Sequence, residues 1–335
     1  MPGRIVYAAY NAQTLVSKTE TRAVPLALGV DIGGTTMKAA IVSASGKLLE
    51  RFHAPSPRTS DSLRSFVQGA LKQTKAPLKG IGIGCKGIIN VESSRIDRLP
   101  GDLHFLEGSV LKDLVGSDLP LRADNDARTA LVAEVLWGAA RGKQNVVLLT
   151  LGTGVGGAAM ADGVILHGAT GIAGHFGHMS VDHEGGLCIC GNHGCLETRF
   201  SSRAIEADYF AHMHRAAATT LLAGDQGQPP NTEAIFQAAF NGDESARRVI
   251  DRALPYLANA VASLLNIFDP EVLIVGGNVA MAGEPLLAPL RKAVAQQTCR
   301  MMGREVPIVV QTATGYGGVL GAAGLIFLDQ QVLKF

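Results

Sequence analysis

Apolar residues in this 335-residue chain fall first into short runs closed by glycine, then increasingly into helical spacing. Leu26–Asp31 is an apolar run leading into Gly33-Gly34, Met37–Val42 is a second, and the polar turn 43–47 leads into a third, Leu48–His53. Three short strands joined by turns predict an antiparallel meander. Leu63, Phe66, Val67, Ala70 and Leu71 recur at helical intervals after Ser60, so a helix is expected from Ser60, as its cap, to about Lys72. Buried strands are read at Gly80–Ile89 and Leu121–Ala123, and a helix from Asn125 or Asp126 to Trp137, stopped by Gly138. Hairpin strands, helix, strand and helix in that order imply an α/β layer on a mixed sheet.

The same order then returns. Val146–Leu151 ends at Gly152, and Gly157–Met160 and Val164–His167 flank an Asp162-Gly163 hairpin turn. The units 26–53 and 146–167 therefore read as an internal duplication. Helices near 202–221, 232–240 and 244–268 follow, then the strand Val272–Val275 before Gly276-Gly277, a helix over Pro285–Gln296, a strand over Ile308–Thr312 and a last helix from Val319 to Leu328. Chain length favours two α/β lobes with a cleft between them. The expected division is an N-terminal extension (1–24), an N-terminal lobe (25–122, with the 318–335 helix packing back on it) and a C-terminal lobe (123–317). The hinge is expected near 120–125.

Composition narrows the field. The chain is 47% hydrophobic and 18% charged, with a formal net charge of +1, so it offers no electrostatic footprint for nucleic acid or an anionic membrane. No apolar run reaches the ~18–20 residues a membrane span needs. Residues 1–24 lack the apolar stretch of a signal peptide, and five cysteines, three of them between 188 and 195, do not suit a secreted disulfide scaffold. A cytoplasmic location is expected.

Three constellations carry chemistry. Asp31-x-Gly33-Gly34-Thr35-Thr36 follows a strand, where bare glycine backbone and threonine hydroxyls could cradle phosphate and Asp31 could face the accompanying metal. Gly152-Thr153-Gly154-Val155-Gly156-Gly157 has the spacing of a dinucleotide fingerprint but runs into a strand rather than a helix, which excludes that reading. Either loop alone could be an ordinary hairpin turn, and Gly276-Gly277 alone could be a tight connection. Asp124-Asn125-Asp126 sits where a strand meets a helix. Capping and cleft chemistry, with Asn125 holding a hydroxyl and Asp126 accepting its proton, both remain open on spacing alone.

His178, Cys188, Cys190 and Cys195 supply three thiolates and an imidazole, the donor set of a closed structural Zn2+ site; buried free cysteines are the other reading. Cys85 and Cys299 read as core fillers. His167, His175, His183 and His193 each read singly as packed or surface residues rather than ligands.

These residues resemble the ROK family of sugar kinases and repressors, within the actin-like ATPase (ribonuclease H-like) sugar-kinase fold. The similarity runs from about 26 to 328, through the Gly29–Thr35 loop, Asn125-Asp126-Ala127, Leu151–Gly157, Gly174–Met179, the cysteine knuckle to Glu197, and Ile274–Gly277. The resemblance implies a sugar substrate and Mg2+-ATP. Asp31 would align Mg2+, and the loops at Gly33, Gly34, Thr35, Thr36, Gly152, Thr153, Gly154, Gly276 and Gly277 would hold the nucleotide. Asp126 would be the general base. Gly87, Asn125, Asp126, His175, His178 and Glu197 would contact the sugar, with His178 also binding the structural zinc. A homodimer is expected from the same resemblance.

Three departures stand out. His175 occupies a position usually held by Glu, Lys86-Gly87-Ile88 replaces Pro-Gly-Pro, and Thr36 replaces a common Lys. A neutral imidazole both donates and accepts where a carboxylate only accepts, which departs from glucose-type recognition, and Lys86 and His175 together make for a less acidic pocket suited to a modified or anionic sugar. Two other functions compete: a non-catalytic sugar-binding protein, against which the intact Asp126 argues, and a repressor. Only thirty residues precede Asp31, too few for a winged helix-turn-helix.

Overall fold

The computed structural model describes residues 24–99, 101–215, 230–303, 305–313 and 315–332, so the expected extension over 1–24 lies outside the described residues except for Val24. The side chain of Cys299 is also outside them. The chain forms two compact units, one of residues 1–144, 162–173 and 312–335, the other of 145–161 and 174–311.

In the first unit, β1 (Leu26–Ile32), β2 (Thr36–Ser43) and β3 (Leu48–Pro55) form the expected meander, followed by α1 (Ser60–Gln73) and β4 (Leu78–Cys85). A two-stranded hairpin, β5 (Ile88–Asn90) and β6 (Arg95–Arg98), precedes α2 (Leu111–Val115), β7 (Leu121–Asn125) and α3 (Asp126–Trp137). The main sheet has the order β3-β2-β1-β4-β7, with β1, β4 and β7 parallel. α1 is capped by Thr59, not Ser60: Thr59 Oγ1 accepts from Ser62 N at 3.2 Å and Ser62 Oγ accepts in return from Thr59 N.

The second unit begins with β8 (Val146–Leu151) and β9 (Val155–Ala161). β10 (Val164–Ile165), which falls in the 162–173 segment counted with the first unit, follows the turn whose Asp162 and Gly163 take the positive φ values of +50° and +77° that such a hairpin needs. Then come α4 (Leu196–Phe200), α5 (Ser202–Arg215), α6 (Thr232–Phe240), α7 (Glu244–Phe268), β11 (Val272–Gly276), α8 (Glu284–Met302) and β12 (Ile308–Val310). The second sheet has the order β10-β9-β8-β11-β12, again with an antiparallel hairpin leading into parallel strands. The last helix, α9 (Gly317–Val332), belongs to the first unit.

Period-two alternation explains how the first sheet is covered. Leu28, Val30 and Ile32 of β1 and Ile81, Ile83 and Cys85 of β4 point to one face and bury against Leu63 and Val67 of α1 and Leu111 of α2. The other face carries Ala27, Gly29, Gly82 and Gly84. There α9 lies so close that a Cβ on Gly29 would sit 2.1 Å from Val319 O, and one on Gly82 1.7 Å from Ala322 O. Gly321 of α9 repeats the device against α3, where its Cβ would meet Thr129 O at 1.5 Å. Only glycine permits this approach of backbone to backbone.

The division between the units falls after Gln144 rather than at 122/123. β7 completes the first sheet beside β4, and α3 packs on α9, so the corner carrying Asn125 and Asp126 stays with the first unit. The predicted single strand Gly80–Ile89 is two strands. The chain breaks at Lys86-Gly87, where Gly87 has φ +94° and any Cβ would strike Arg98 O at 2.2 Å.

Candidate active site

The carboxyl ends of β1, β4 and β7 line up in register. Asp31, Gly84 and Asp124 form one row, and Ile32, Cys85 and Asn125 the next. Asp31 lies on the α9 face, its carboxylate 2.7 Å from where a Cβ of Gly318 would stand. The β1–β2 turn holds its shape through Gly33 N donating to Thr36 O at 3.1 Å, Ser56 Oγ donating to Gly33 O at 2.6 Å and Ser56 N donating to Thr35 O at 3.0 Å. Gly34, Thr35 and Thr36 are exposed beyond it.

The two readings of Asn125-Asp126 divide between the two residues. Asn125 is the N-cap of α3: its Oδ1 accepts from Ala127 N at 2.9 Å and its Nδ2 donates to Gly87 O at 3.0 Å. Its side chain therefore ties β7 to the Lys86-Gly87 break. Asp126, the first helical residue, is exposed, and one carboxylate oxygen accepts from Ala127 N at 2.9 Å.

Asp31 has its pKa raised from 3.8 to about 6, by burial first and by the negative charge of Asp126 second, against a lowering by Lys38. Lys38 stands opposite Asp31 in the β1–β2 pair and donates to Gly315 O at 3.0 Å. Buried Cys85, a core filler as expected, has its thiol pushed far up by burial and then by the charges of Asp126 and Asp31.

A group that the sequence reading did not find lies directly behind this edge. Asp124 is buried; its Oδ1 accepts from Asn125 N at 2.7 Å and Arg128 Nε at 2.6 Å, and its Oδ2 is 2.9 Å from His167 Nε2. Burial would raise the Asp124 carboxyl, but the His167 hydrogen bond and the Arg128 charge outweigh it and hold the pKa below its ordinary value. The Asp124/Arg128 spacing of four, at a helix start, was the available signal. Of the packed and surface readings open for His167, the packed one applies: its ring is mostly buried against Asp124.

In the second unit the β8–β9 turn is closed by Gly152 N donating to Gly154 O at 2.9 Å. Glu197, at the start of α4, has Oε2 accepting from Val155 N at 2.9 Å, and that oxygen lies 2.4 Å from where a Cβ of Gly154 would be. Gly277 has φ +85°, and a Cβ there would strike Leu151 O at 2.2 Å. The Gly152–Gly154 and Gly276-Gly277 turns are thus neighbours at the ends of β8 and β11, which pair in parallel.

His178, Cys188, Cys190 and Cys195 converge, with one donor atom from each lying within 4.8 Å of all the others. His178 Nδ1 is 3.6 Å from Cys188 Sγ, and Cys190 Sγ is 3.6 Å from Cys195 Sγ. Zn–S bonds of ~2.3 Å in a tetrahedron put sulfur atoms roughly 3.8 Å apart, so these donors fit a structural zinc. The His175 ring stacks beside His178, centroids 6.3 Å apart and planes 19° apart. The first-unit and second-unit candidates each form a coherent group within their own unit.

Hairpin-led mixed sheets that repeat, with glycine turns at their strand ends and a Cys3His knuckle, define the actin-like ATPase, sugar-kinase class of α/β protein. The ROK family profile matches residues 27–328. The chain is 34% identical over 316 residues to a glucokinase of Halalkalibacterium halodurans, covering 89% of this chain and 94% of that one. It is 34% identical over 301 residues to an N-acetylmannosamine kinase of Escherichia fergusonii, covering 88% and 96%. The crystal structure of a ROK family glucokinase from Streptomyces griseus in complex with glucose and AMPPNP matches with a TM-score of 0.78 at 30% identity, covering 90% of this chain and 98% of that one. The chain belongs to the ROK family.

Proposed function

We propose that this protein phosphorylates a sugar hydroxyl at the expense of ATP, with Asp126 as general base and a hexose or an amino or otherwise modified hexose as acceptor. The activity class rests on glucokinase and N-acetylmannosamine kinase relatives that match most of the chain. The observation that carries the residue assignment is the division of labour at the β7–α3 corner. Asn125 takes the cap, which leaves Asp126 exposed at the same strand edge as Asp31.

In-line phosphoryl transfer needs alignment, neutralisation of phosphate charge and an acceptor for the hydroxyl proton. Asp126 accepts that proton as the sugar oxygen attacks phosphorus and the bond to the leaving diphosphate breaks. Gly34, Thr35 and Thr36 in one turn, and Thr153, Gly154, Gly276 and Gly277 in the others, offer backbone N–H and hydroxyl donors for phosphate oxygens, while Gly33 and Gly152 shape the two cradles by donating to Thr36 O and Gly154 O. Asp31 is the carboxylate suited to Mg2+, which supplies charge neutralisation on the phosphates. Gly87, Asn125, His175, His178 and Glu197 contact the sugar. Asn125 and Glu197 do so only with the polar atoms and lone pairs left beyond their structural bonds. The Cys3His set holds zinc as a stiffener of the His178 segment. Among the described residues no helix is long and apolar enough to cross a membrane, and a cytoplasmic homodimer completes the proposal.

The test is an ATP-coupled assay over glucose, mannose, N-acetylmannosamine, N-acetylglucosamine and uronic acids, run on the wild type and Asp126→Asn. Turnover of one sugar by the wild type and its loss in the variant support the reading. A variant that keeps its rate removes Asp126 from the role of base, and no turnover on any sugar removes the activity.

A further inference from the structure

Arg128 is fully buried, with 0% of its surface exposed, in the first turn of α3, two residues after Asp126. A buried ion pair is seldom the most stable choice for such a position, since apolar side chains of similar volume do as well or better. What distinguishes arginine is its planar fork, which can hold several oxygens at fixed angles. Arg128 uses it in two directions. Nε donates to Asp124 Oδ1 at 2.6 Å, the same oxygen that accepts from Asn125 N at 2.7 Å. Nη1 donates to Gly171 O and to Ala173 O, both at 3.1 Å. Nη2 is buried without a partner, so the guanidinium is not placed there for full satisfaction of its own donors.

His167 closes the arrangement from the loop side. Its Nε2 lies 2.9 Å from Asp124 Oδ2 and its Nδ1 3.1 Å from Ile165 O, while Ala173 N donates to His167 O at 3.2 Å. Arg128 thus holds the loop 165–173 at two of its carbonyls (171 and 173), His167 ties the loop internally at 165 and outward to Asp124, and the loop's far end runs directly into Gly174–His178. Gly171 has φ +78°, and a Cβ there would stand 3.0 Å from Ile89 O, so the loop is also pressed onto the β5–β6 hairpin.

We propose that Arg128 is a positioning residue for phosphoryl transfer: through Asp124 it locks the Asn125-Asp126 corner against the loop 165–173, with His167 as its second clamp. The proposal rests on the reading of Asp126 as base. It assigns to Arg128 and His167 the alignment of the acceptor hydroxyl with that carboxylate, and no contact with nucleotide. Misalignment by a fraction of an ångström at such a corner lowers turnover far more than it lowers nucleotide affinity.

Arg128→Lys keeps the charge but has no fork to hold Asp124 and both carbonyls at once, and His167→Gln can reach Asp124 but lacks the second ring nitrogen that holds Ile165 O. Each is assayed beside the wild type and Asp126→Asn with the best sugar from the panel. Readouts are kcat, both KM values, the melting temperature and amide exchange over 165–173. The expected result is a fall in kcat of tenfold or more with a raised sugar KM, an ATP KM within twofold, faster exchange in the loop and a protein still folded at the assay temperature. A folded variant of either kind with kcat within twofold of wild type overturns the proposal, as does an equal rise of both KM values. Should Arg128→Lys fail to fold, His167→Gln decides alone. Failure of the base assignment is separate, because it would show as a wild-type-like Asp126→Asn.

Discussion

Replacing Asp31 by asparagine should make the protein more stable while abolishing its activity, and the gain should depend on pH. Burial, together with the charge of Asp126, raises the Asp31 pKa from 3.8 to about 6. The folded state therefore holds this proton more tightly than the unfolded state does between those values. Stability from this group is fully present below about pH 3.8 and is lost as pH rises through about 6. At 1.36 kcal/mol per tenfold change, ionised Asp31 costs at most about 3 kcal/mol at pH 8, a ceiling because the carboxylate keeps some contact with solvent. The neutral amide of the Asp31→Asn variant carries no such cost. Its advantage should shrink by about 1.4 kcal/mol between pH 8 and pH 5, where the wild type regains most of its proton. For a domain of this size, 3 kcal/mol corresponds to roughly 6–10 °C in Tm. Thermal melts of both proteins at pH 8, 7, 6 and 5, without metal or nucleotide, measure it. A variant no more stable than wild type at pH 8, or one whose advantage is the same at every pH, refutes the reasoning. Added Mg2+ and nucleotide should raise the wild-type melting temperature and leave the variant nearly unmoved.

Asp126→Asn should lower kcat by ~10²–10⁴ with both KM values within a few-fold, because only the late proton acceptor is lost; steady-state kinetics check it. Purified protein should carry one zinc per chain by elemental analysis, and Cys195→Ser should lose it and melt several degrees lower. Burial pushes the Cys195 thiol up to about 12, so without a metal it stays protonated at neutral pH and chelated protein should bind zinc again with proton release. Gly82→Ala should destabilise by about 3 kcal/mol or more, since its Cβ would stand 1.7 Å from Ala322 O and the opposing backbone cannot rotate away; denaturant titration measures this.

The sequence was most legible where the information is local. Strands closed by glycine and the hairpin turn at Asp162-Gly163 sit within a few residues of the partners that define them, and the metal donors all fall between 178 and 195. The breaks come where a distant group decides. β4 stops at Cys85 because Gly87 turns the chain under Arg98 and its carbonyl is taken by Asn125 Nδ2, thirty-eight residues on. α2, five residues long, is too short to show a period. Two of the three members of the Asp124–Arg128–His167 group could be seen as a pair four apart, but nothing in the sequence aims His167 at it across 43 residues. Glu134 is a stronger case: its Oε1 accepts from Thr312 N at 2.8 Å and Ala313 N at 3.0 Å, a bond across 178 residues that no spacing rule contains. The assignment of β7 and α3 to the first unit was missed for the same reason, since their partners are β4 and a helix that begins at Gly317.

That late helix has a consequence during synthesis. β1 and β4 have left the ribosome by the time residue 85 is well past the exit, yet the surface bearing Gly29 and Gly82 has no cover until residues 317–332 emerge. At ~5–20 residues per second the wait is roughly 10–50 s, during which a twisted sheet shows one bare, nearly side-chain-free face. The second unit, complete by residue 311, can close before the first does. The part of the protein made first is therefore the last to finish folding, and a stalled nascent chain that lacks α9 should be a strong client for chaperones.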